Sequence, residues 1–323
     1  MSAFKSSKML LGALALATAF SAPVLAQQKS VAVTAIVEHP ALDAVRDGVK
    51  DQLAEAGFEA GKNLKWQYQS AQGNTGTAAQ IARKFVGDRV DVIVAVATPS
   101  AQAVAAATKD IPLVFSAVTD PVAAKLVAST AASGTNISGV SDALELDKQI
   151  DLIKRIAPNA TRVGMVFNPG EANSVVVVEQ MRKLLPERGM SLVEAAAPRS
   201  VDVSSAARSL IGKVDVFYTN TDNNVVSAYE SMVKVGSDAK IPLVAADTAS
   251  VARGAIAAYG MDYYALGKQT GAMVARILNG EQPGAMPFET SSTLELHINP
   301  KAAQSQGVSL SAELLESASK VLD

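Results

Sequence analysis

Short apolar runs alternate with longer amphipathic stretches along most of this chain. Residues 31–37 form one such run, and residues 41–56 follow it with apolar side chains at helical spacing from Leu42 to Leu53. Strands of continuous apolar character that alternate with helices are typical of a parallel sheet covered on both faces. The pattern therefore predicts an α/β fold.

The same periodicity locates the individual elements. We predict strands at residues 31–37, 64–69, 90–96, 113–117, 162–167, 191–195, 214–218, 243–246, 255–259 and 294–298. We predict helices at residues 41–56, 75–86, 100–108, 146–156, 174–185, 203–210, 225–235 and 265–278. The order of elements before residue 140 is repeated after it.

Two segments of the chain are similar in detail. Residues 90–100 are a β-rich apolar run followed by a polar turn, and they lead to Ile-Pro-Leu-Val at 111–114. Residues 214–223 repeat this pattern and lead to the same four residues at 241–244. Two similar α/β units predict two lobes with a cleft between them.

The amino terminus has the features of a secretion signal. Lys5 and Lys8 precede an apolar stretch at 9–20, and small residues precede a predicted cleavage site after Ala26. The apolar stretch is too short to span a bilayer comfortably. The sequence holds no cysteine, so neither a disulfide nor a lipid-anchored cysteine is expected. We therefore predict a periplasmic protein of residues 27–323 that is not a lipoprotein.

Charge and motifs argue against several functions. The net charge of −2 provides no basic surface for nucleic acid. We expect no metal and no cofactor, because the chain lacks cysteine, paired histidines and a nucleotide-binding glycine motif. His39 beside Glu38 leaves acid–base chemistry open, but a loop histidine more often forms hydrogen bonds or stacks. We therefore expect a binding protein and not an enzyme.

Polar residues follow the predicted strands. In open parallel sheets, ligands bind beyond the carboxyl ends of the strands, where helix amino termini point into a crevice. This rule selects Glu38, His39, Pro40, Thr98, Ser100, Thr119, Asp120, Asn168, Ser174, Thr221, Asp222, Asn223 and Asp247. Hydroxyls and helix amides suit a carboxylate, and aspartate suits an ammonium group, so the set fits a small zwitterion. Helix capping is the alternative role for each of these residues.

Five separated segments follow a known pattern in the known order. They are EHPALD at 38–43, VAVATP at 94–99, IPLVFSAVTDP at 111–121, EANS at 171–174 and TDN at 221–223. Together they resemble the ABC transporter substrate-binding proteins of the tryptophan/tyrosine type, and the resemblance extends over essentially all of residues 27–323. It implies a type I periplasmic-binding-protein fold, in which two Rossmann-like lobes joined by three crossovers close on a ligand. It also implies delivery to a permease in the inner membrane that is driven by a cytoplasmic ATPase.

The resemblance also implies roles for individual residues. The ligand carboxylate would be held by Thr98, Ser100 and Thr119. The ammonium group would be held by Asp222, Asn223 and Asp247. The ligand side chain would face His39, Pro40 and Phe167. An aromatic amino acid is the expected ligand, but the chain has only six tyrosines, eight phenylalanines and one tryptophan, so an aliphatic amino acid or another small solute stays open.

Analogy with the family also gives the lobe boundaries. The crossovers are expected near residues 139–140, 253–254 and 286–287. The first lobe would then consist of residues 27–140 and 255–286, and the second lobe of residues 141–254 and 287–323.

The leading interpretation is a monomeric transport protein that binds an amino acid, and three alternatives stay open. A sensory receptor would present the same closed lobes to a membrane kinase or chemoreceptor. A sugar is a second class of ligand for the same clamp. An enzyme that uses Glu38, His39 and an aspartate would consume its substrate, whereas a binding protein returns its ligand unchanged.

Overall fold

The buried apolar runs form two separate sheets in the computed structural model of the protein, which describes residues 28–291 and 294–322. The strands are β1 (Lys29–Ala35), β2 (Leu64–Ser70), β3 (Val92–Val96), β4 (Leu113–Val118), β5 (Ile137–Ser141), β6 (Arg162–Phe167), β7 (Ser191–Ala196), β8 (Val216–Thr219), β9 (Leu243–Ala245), β10 (Ala257–Met261), β11 (Glu289–Thr290), β12 (Leu294–Ile298) and β13 (Lys320–Val321). The helices are α1 (Pro40–Glu55), α2 (Thr75–Gly87), α3 (Thr98–Ala107), α4 (Leu146–Ile156), α5 (Ala172–Glu187), α6 (Val203–Ser209), α7 (Asn223–Ser227), α8 (Tyr229–Ala239), α9 (Ala249–Ala252), α10 (Tyr263–Leu278), α11 (Pro300–Ser305) and α12 (Ala312–Glu316).

The two sheets have matching strand orders. The first sheet runs β11-β5-β4-β3-β1-β2, and the second runs β13-β12-β10-β9-β8-β6-β7. Strands β3 and β4 of the first sheet therefore correspond to β8 and β9 of the second, as the sequence repeat predicts. Strand pairing is parallel except between β10 and β12. The predicted fold of two α/β lobes is confirmed.

Each lobe packs its helices on its own sheet around its own core. In the first lobe, α1 and α10 approach closely because glycines lie at their contact. A β-carbon on Gly48 would meet the carbonyl oxygen of Tyr264 at 2.3 Å, and one on Gly267 would meet that of Val45 at 2.3 Å. Such distances are shorter than any real van der Waals contact, so larger residues would force the two helices apart.

The chain passes between the lobes three times, but at later positions than the sequence analysis expects. The first passage lies between β5 and α4, a few residues after 139–140. Strand β10 belongs to the second sheet, so the second passage follows Met261 instead of Arg253. Strand β11 pairs with β5 in the first sheet, so the third passage follows Thr290. Apolar periodicity identifies a strand without indicating which sheet it joins, and this ambiguity explains the difference.

The second lobe contains four short elements that the sequence analysis does not predict, α9, α11, α12 and β13, and one predicted helix is divided in two. Residues 225–235 form the end of α7 and most of α8, which are separated at Ala228 with φ −109° and ψ 32°. The predicted signal sequence lies outside the described residues. Among the residues described, no helix is long and apolar enough to cross a membrane.

Candidate functional site

A cavity lies between the lobes, at the carboxyl ends of their strands. About 350 Å³ there is not filled by protein atoms, a volume that includes space open to solvent. Its lining comes from both lobes and from the crossovers: His39, Ala41, Leu42, Ala97, Thr98, Ala117, Thr119, Asp142, Asn173, Thr221, Asn223, Val226, Asp247 and Tyr263. The cavity is therefore bounded by residues of both lobes.

The amino terminus of α3 meets the cavity without a side-chain cap. Ala97 precedes the helix with φ 72°, a left-handed conformation that costs energy in a residue other than glycine. The hydroxyls of Thr98 and Ser100 are buried and have no hydrogen-bond partner within the described part of the chain. Free helix amides and unpartnered hydroxyls together favour an anionic group here.

The carboxyl end of β4 also contains a non-glycine residue with positive φ. Ala117 has φ 53° and interrupts the register between β4 and β5. The next turn presents Thr119, whose hydroxyl donates to Asp142 Oδ1 at 3.1 Å and lies 3.1 Å from the hydroxyl of Thr221 in the second lobe. This contact joins the lobes across the cavity.

Asp142 lies in the first crossover and Tyr263 begins α10 directly after the second, and both line the cavity. The Tyr263 hydroxyl donates to Asp142 Oδ2 at 2.9 Å. Burial, with a smaller contribution from the charge on Asp247, raises the pKa of Asp142. Its hydrogen-bond partners, including Thr119, are neutral, so a cation beside Asp142 would offset the cost of burying its charge.

Asp247 follows β9 and faces the same cavity from the second lobe. It caps α9, because Oδ1 accepts from the Ser250 amide at 2.9 Å and Oδ2 from the Ser250 hydroxyl at 2.5 Å. Burial raises the pKa of Asp247. The capping role and a ligand-facing role are compatible here, because a carboxylate has about four acceptor positions.

His39 is a neutral group in the cavity wall. Burial, followed by the positive charge of Arg253, lowers its pKa to about 3. Its Nδ1 atom is buried and unpartnered among the residues that the structure describes. An uncharged imidazole with a free nitrogen is suited to a hydrogen bond or to contact with an apolar ligand group.

The structure brings six of the sequence-selected residues together in the cavity lining. They are His39, Thr98, Thr119, Thr221, Asn223 and Asp247. Ser100 lies behind Thr98 in the first turn of α3 and does not line the cavity. Glu38 and Pro40 are exposed beside it, and Glu38 accepts a hydrogen bond from Gln72 at 3.1 Å.

The other sequence-selected residues lie outside the lining because their groups hold local structure. Asp120 caps its own turn by accepting from the amides of Val122 and Ala123. Asp222 accepts from the Asn168 amide and the Ser174 hydroxyl, both at 2.6 Å, and caps α7 through the Val225 amide at 3.0 Å. Phe167 packs on the core of the second lobe. Asp222 is thus fully engaged in the fold, not free to contact a ligand.

The sequence rule did not select several lining residues. Asp142 lies in a crossover and Tyr263 directly follows one, and the sequence does not fix the positions of the crossovers. Asn173 opens α5 directly after the predicted exit at Asn168, and the EANS segment that contains it was the available signal. Small apolar residues complete the wall: Ala41, Leu42, Ala97, Ala117 and Val226.

No group of three or more histidine or carboxylate side chains with metal-binding geometry occurs within residues 28–291 and 294–322. The cavity chemistry of the described residues is therefore that of hydroxyls, amides, a neutral imidazole and two carboxylates, with an apolar remainder.

The comparisons with known proteins show the family. Residues 30–322 match the family model described as ABC transporter substrate binding protein. A tyrosine-binding protein from Clostridioides difficile is 40% identical over 84% of this chain and 79% of its own. The chain therefore belongs to the ABC transporter substrate-binding proteins, a family of extracytoplasmic proteins that bind small ligands.

Two solved structures show which arrangement of the lobes this is. An ABC domain from Streptococcus pneumonia in complex with L-Trp is 32% identical, with a TM-score of 0.88 over 91% of this chain and 100% of that one. The ligand-free, open structure of a substrate-binding protein with adhesive properties from Clostridium difficile is 41% identical, yet its TM-score is 0.68 over 91% and 99%. The more similar sequence gives the poorer superposition, so the arrangement of the lobes here is nearer to that of the tryptophan complex than to that of the open structure.

Proposed function

We propose that this protein is the binding component of an ABC importer and that it carries an aromatic L-amino acid. The observation that carries this proposal is the polarity of the cavity. Among the described residues, the first lobe presents the unpartnered hydroxyl of Thr98 and an uncapped helix terminus, and the buried carboxylates of Asp142 and Asp247 form no ion pair. A zwitterion satisfies both groups at once.

The position of the two groups, the α3 terminus for the carboxylate and the aspartates for the ammonium, explains why ligand binding would close the lobes. The α3 terminus belongs to the first lobe and Asp247 to the second, so one ligand bridges both. Its carboxylate would accept from Thr98 and the α3 amides, and its ammonium would donate to Asp142 and Asp247. The binding energy is then spent on stabilising the closed state.

The side chain of the ligand is inferred from the remaining wall and from the relatives. Leu42, Val226 and the alanines form an apolar surface, and Tyr263 and His39 are the aromatic groups in it. One relative is named for tyrosine binding, and one similar structure contains L-Trp. Tyrosine or tryptophan is therefore the first ligand to test.

Location and partners follow from the same proposal. The amino-terminal signal would be cleaved after Ala26, and the mature protein would act in the periplasm as a monomer without a lipid anchor. It would deliver its ligand to an inner-membrane permease coupled to a cytoplasmic ATPase. It would release the ligand chemically unchanged and perform no catalysis.

The test uses residues 27–323 purified without added ligand. Mass spectrometry after denaturation identifies any retained molecule, and calorimetry of the refolded protein measures affinity for tryptophan, tyrosine, phenylalanine, leucine and galactose. We expect Asp142→Asn and Asp247→Asn each to weaken aromatic amino-acid binding at least about tenfold. Asp202→Asn, at a surface ion pair with Arg199, is the matched control.

Two results would overturn the proposal. Wild-type protein that binds none of these amino acids would refute the ligand class. Equal weakening by Asp142→Asn and by Asp202→Asn would refute the assigned ammonium pole.

A further inference from the structure

We propose that Glu171, which lies outside the cavity lining, orients the side-chain amides of Asn173 and Asn223 so that their oxygens face the ligand. Glu171 is then a positioning residue that determines specificity for an amino group. This inference rests on the proposed function, because it concerns the ammonium end of an amino acid.

Glu171 is buried beneath the cavity wall, with 5% of its surface exposed. Its Oε2 accepts from Asn173 Nδ2 at 3.1 Å, from the Asn223 amide at 3.2 Å and from Asn223 Nδ2 at 2.5 Å. Its Oε1 accepts from Asn168 Nδ2 at 3.2 Å. All four donors are neutral, and no ion pair to Glu171 occurs in the part of the chain that the structure describes.

The chemistry of the carboxylate decides which way the two amides point. Oε2 accepts all three of its contacts, and it keeps this acceptor role when a proton occupies Oε1. An asparagine, by contrast, has a donor nitrogen at one end of its amide and an acceptor oxygen at the other. The nitrogens of Asn173 and Asn223 must therefore face Glu171. Their oxygens are then left for another partner.

The cavity is where that partner would lie. Asn173 and Asn223 both line it. The Asn173 Oδ1 atom is buried and has no hydrogen-bond partner among the described residues, and a buried acceptor without a donor is costly. An N–H group of the ligand would satisfy it.

Amide oxygens suit this position because they add acceptors without adding charge. The cavity already contains the carboxylates of Asp142 and Asp247, and a third one facing it would increase their mutual repulsion. Two fixed oxygens favour a group that only donates, such as ammonium. A hydroxyl in the same place gains less from them, because it both donates and accepts.

The experiment compares two ligands in four proteins. The ligands are tryptophan or tyrosine, whichever the wild type binds more tightly, and the matching α-hydroxy acid, in which a hydroxyl replaces the ammonium group. The proteins are the wild type, Glu171→Gln, Asn173→Ala and the control Glu194→Gln. Glu194 is a partly buried carboxylate of the same lobe that pairs with Arg182 away from the cavity.

Glutamine at 171 offers one acceptor oxygen and one donor nitrogen to the three asparagines that contact Glu171. A nitrogen at the Oε2 position would force Asn173 or Asn223 to turn its own nitrogen toward the cavity. We expect amino-acid affinity to fall about tenfold and α-hydroxy-acid affinity to fall less than about threefold. Glu194→Gln should leave both affinities unchanged. An unchanged preference for the amino acid in both Glu171→Gln and Asn173→Ala would overturn the inference, because glutamine can also place its oxygen at the Oε2 position.

Other results are also decisive. If Glu171→Gln does not fold, Asn173→Ala removes a presented oxygen directly and must show the same selective loss for the inference to stand. A wild type that binds no aromatic amino acid would refute the proposed function. A wild type that binds one, with equal losses for both ligands in either variant, would refute only the role of Glu171.

Discussion

Matching strands of the two lobes have similar sequences, but the helices that follow them differ in how their amino termini are capped. In the first lobe, β3 leads into α3 through Ala97 and Thr98, and no side chain caps the helix. In the second lobe, β8 leads into α7 through Asp222, which caps that helix and also accepts from Asn168 and Ser174. At the same position in the repeat, the helix amino terminus has no side-chain cap in the first lobe and has one in the second.

This difference separates a helix amino terminus that is suited to bind a ligand from one whose hydrogen bonds serve the fold. Polar residues at a helix start are compatible with either role, as long as only the sequence is considered. The unpartnered hydroxyls of Thr98 and Ser100 identify the first-lobe terminus as the one suited to a ligand. The second lobe contributes instead through Thr221, Asn223 and Asp247, which lie beside its completed cap.

The largest effect expected from this contrast is on stability. Asp222→Ala removes a helix cap and leaves the Asn168 amide and the Ser174 hydroxyl buried without their acceptor. We expect the free energy of unfolding to fall by about 3 kcal/mol, after allowance for relief of repulsion with Glu171. Denaturant unfolding of the ligand-free protein measures this change.

Asp120→Ala is the matched control in the first lobe. Asp120 caps only a surface turn, through the amides of Val122 and Ala123, so its loss should cost less than about 1 kcal/mol. Similar losses in the two variants would show that the second-lobe terminus is no more structural than an ordinary turn.

The second effect is on affinity and should leave stability intact. Thr98→Val keeps the shape of the side chain and removes a hydroxyl that has no partner in the described residues. If that hydroxyl donates to the ligand carboxylate, affinity for the amino acid should fall about tenfold. The unfolding free energy without ligand should stay equal or rise, because a buried unsatisfied group is gone.

Calorimetry and denaturant unfolding of the same preparation separate the two quantities. Ser100→Ala extends the comparison to the hydroxyl behind Thr98. Unchanged affinity with a stability loss above about 1 kcal/mol would place the Thr98 hydroxyl in the fold and not in the binding site.

Much of the fold could be predicted because the repeat and the apolar periodicity are local signals. They gave the two lobes, most strands and the longer helices, but not the strands β5, β11 and β13 or the short helices α9, α11 and α12. The crossovers could not be placed, because the pairing of β10 with β9 and of β11 with β5 joins residues far apart in the sequence. The lobe boundaries near Arg253 and Met286 consequently fell too early.

The site was predictable to the extent that it follows strand ends. That rule brought His39, Thr98 and Asp247 into one cavity. It missed Asp142, which lies in a crossover, and it could not separate Asp222 from a ligand-binding aspartate. The partners of Asp222 come from elements about fifty residues away, with separations of 54 and 48 for its two 2.6 Å contacts.

The smallest effect concerns pH and again distinguishes the lobes. The second-lobe exit places two buried carboxylates, Glu171 and Asp222, side by side. Burial, followed by the charge of Asp222, raises the pKa of Glu171 from 4.5 to about 7. The folded state therefore holds this proton more tightly than the unfolded state does. The contribution of Glu171 to stability is present in mild acid and is lost as the pH rises through about 7.

His39 acts in the opposite direction, because its pKa is lowered to about 3 and its contribution is lost as the pH falls below its unfolded value of 6.5. A difference between wild type and Glu171→Gln cancels this term, since both keep His39. We expect the stability of Glu171→Gln relative to wild type to increase by about 1 kcal/mol from pH 5.5 to pH 8, measured by denaturant unfolding without ligand. A constant difference across this range would mean that Glu171 has the same pKa in the folded and unfolded chains. The buried pair of Glu171 and Asp222 would then give the strand ends of the second lobe no electrostatic property that those of the first lobe lack.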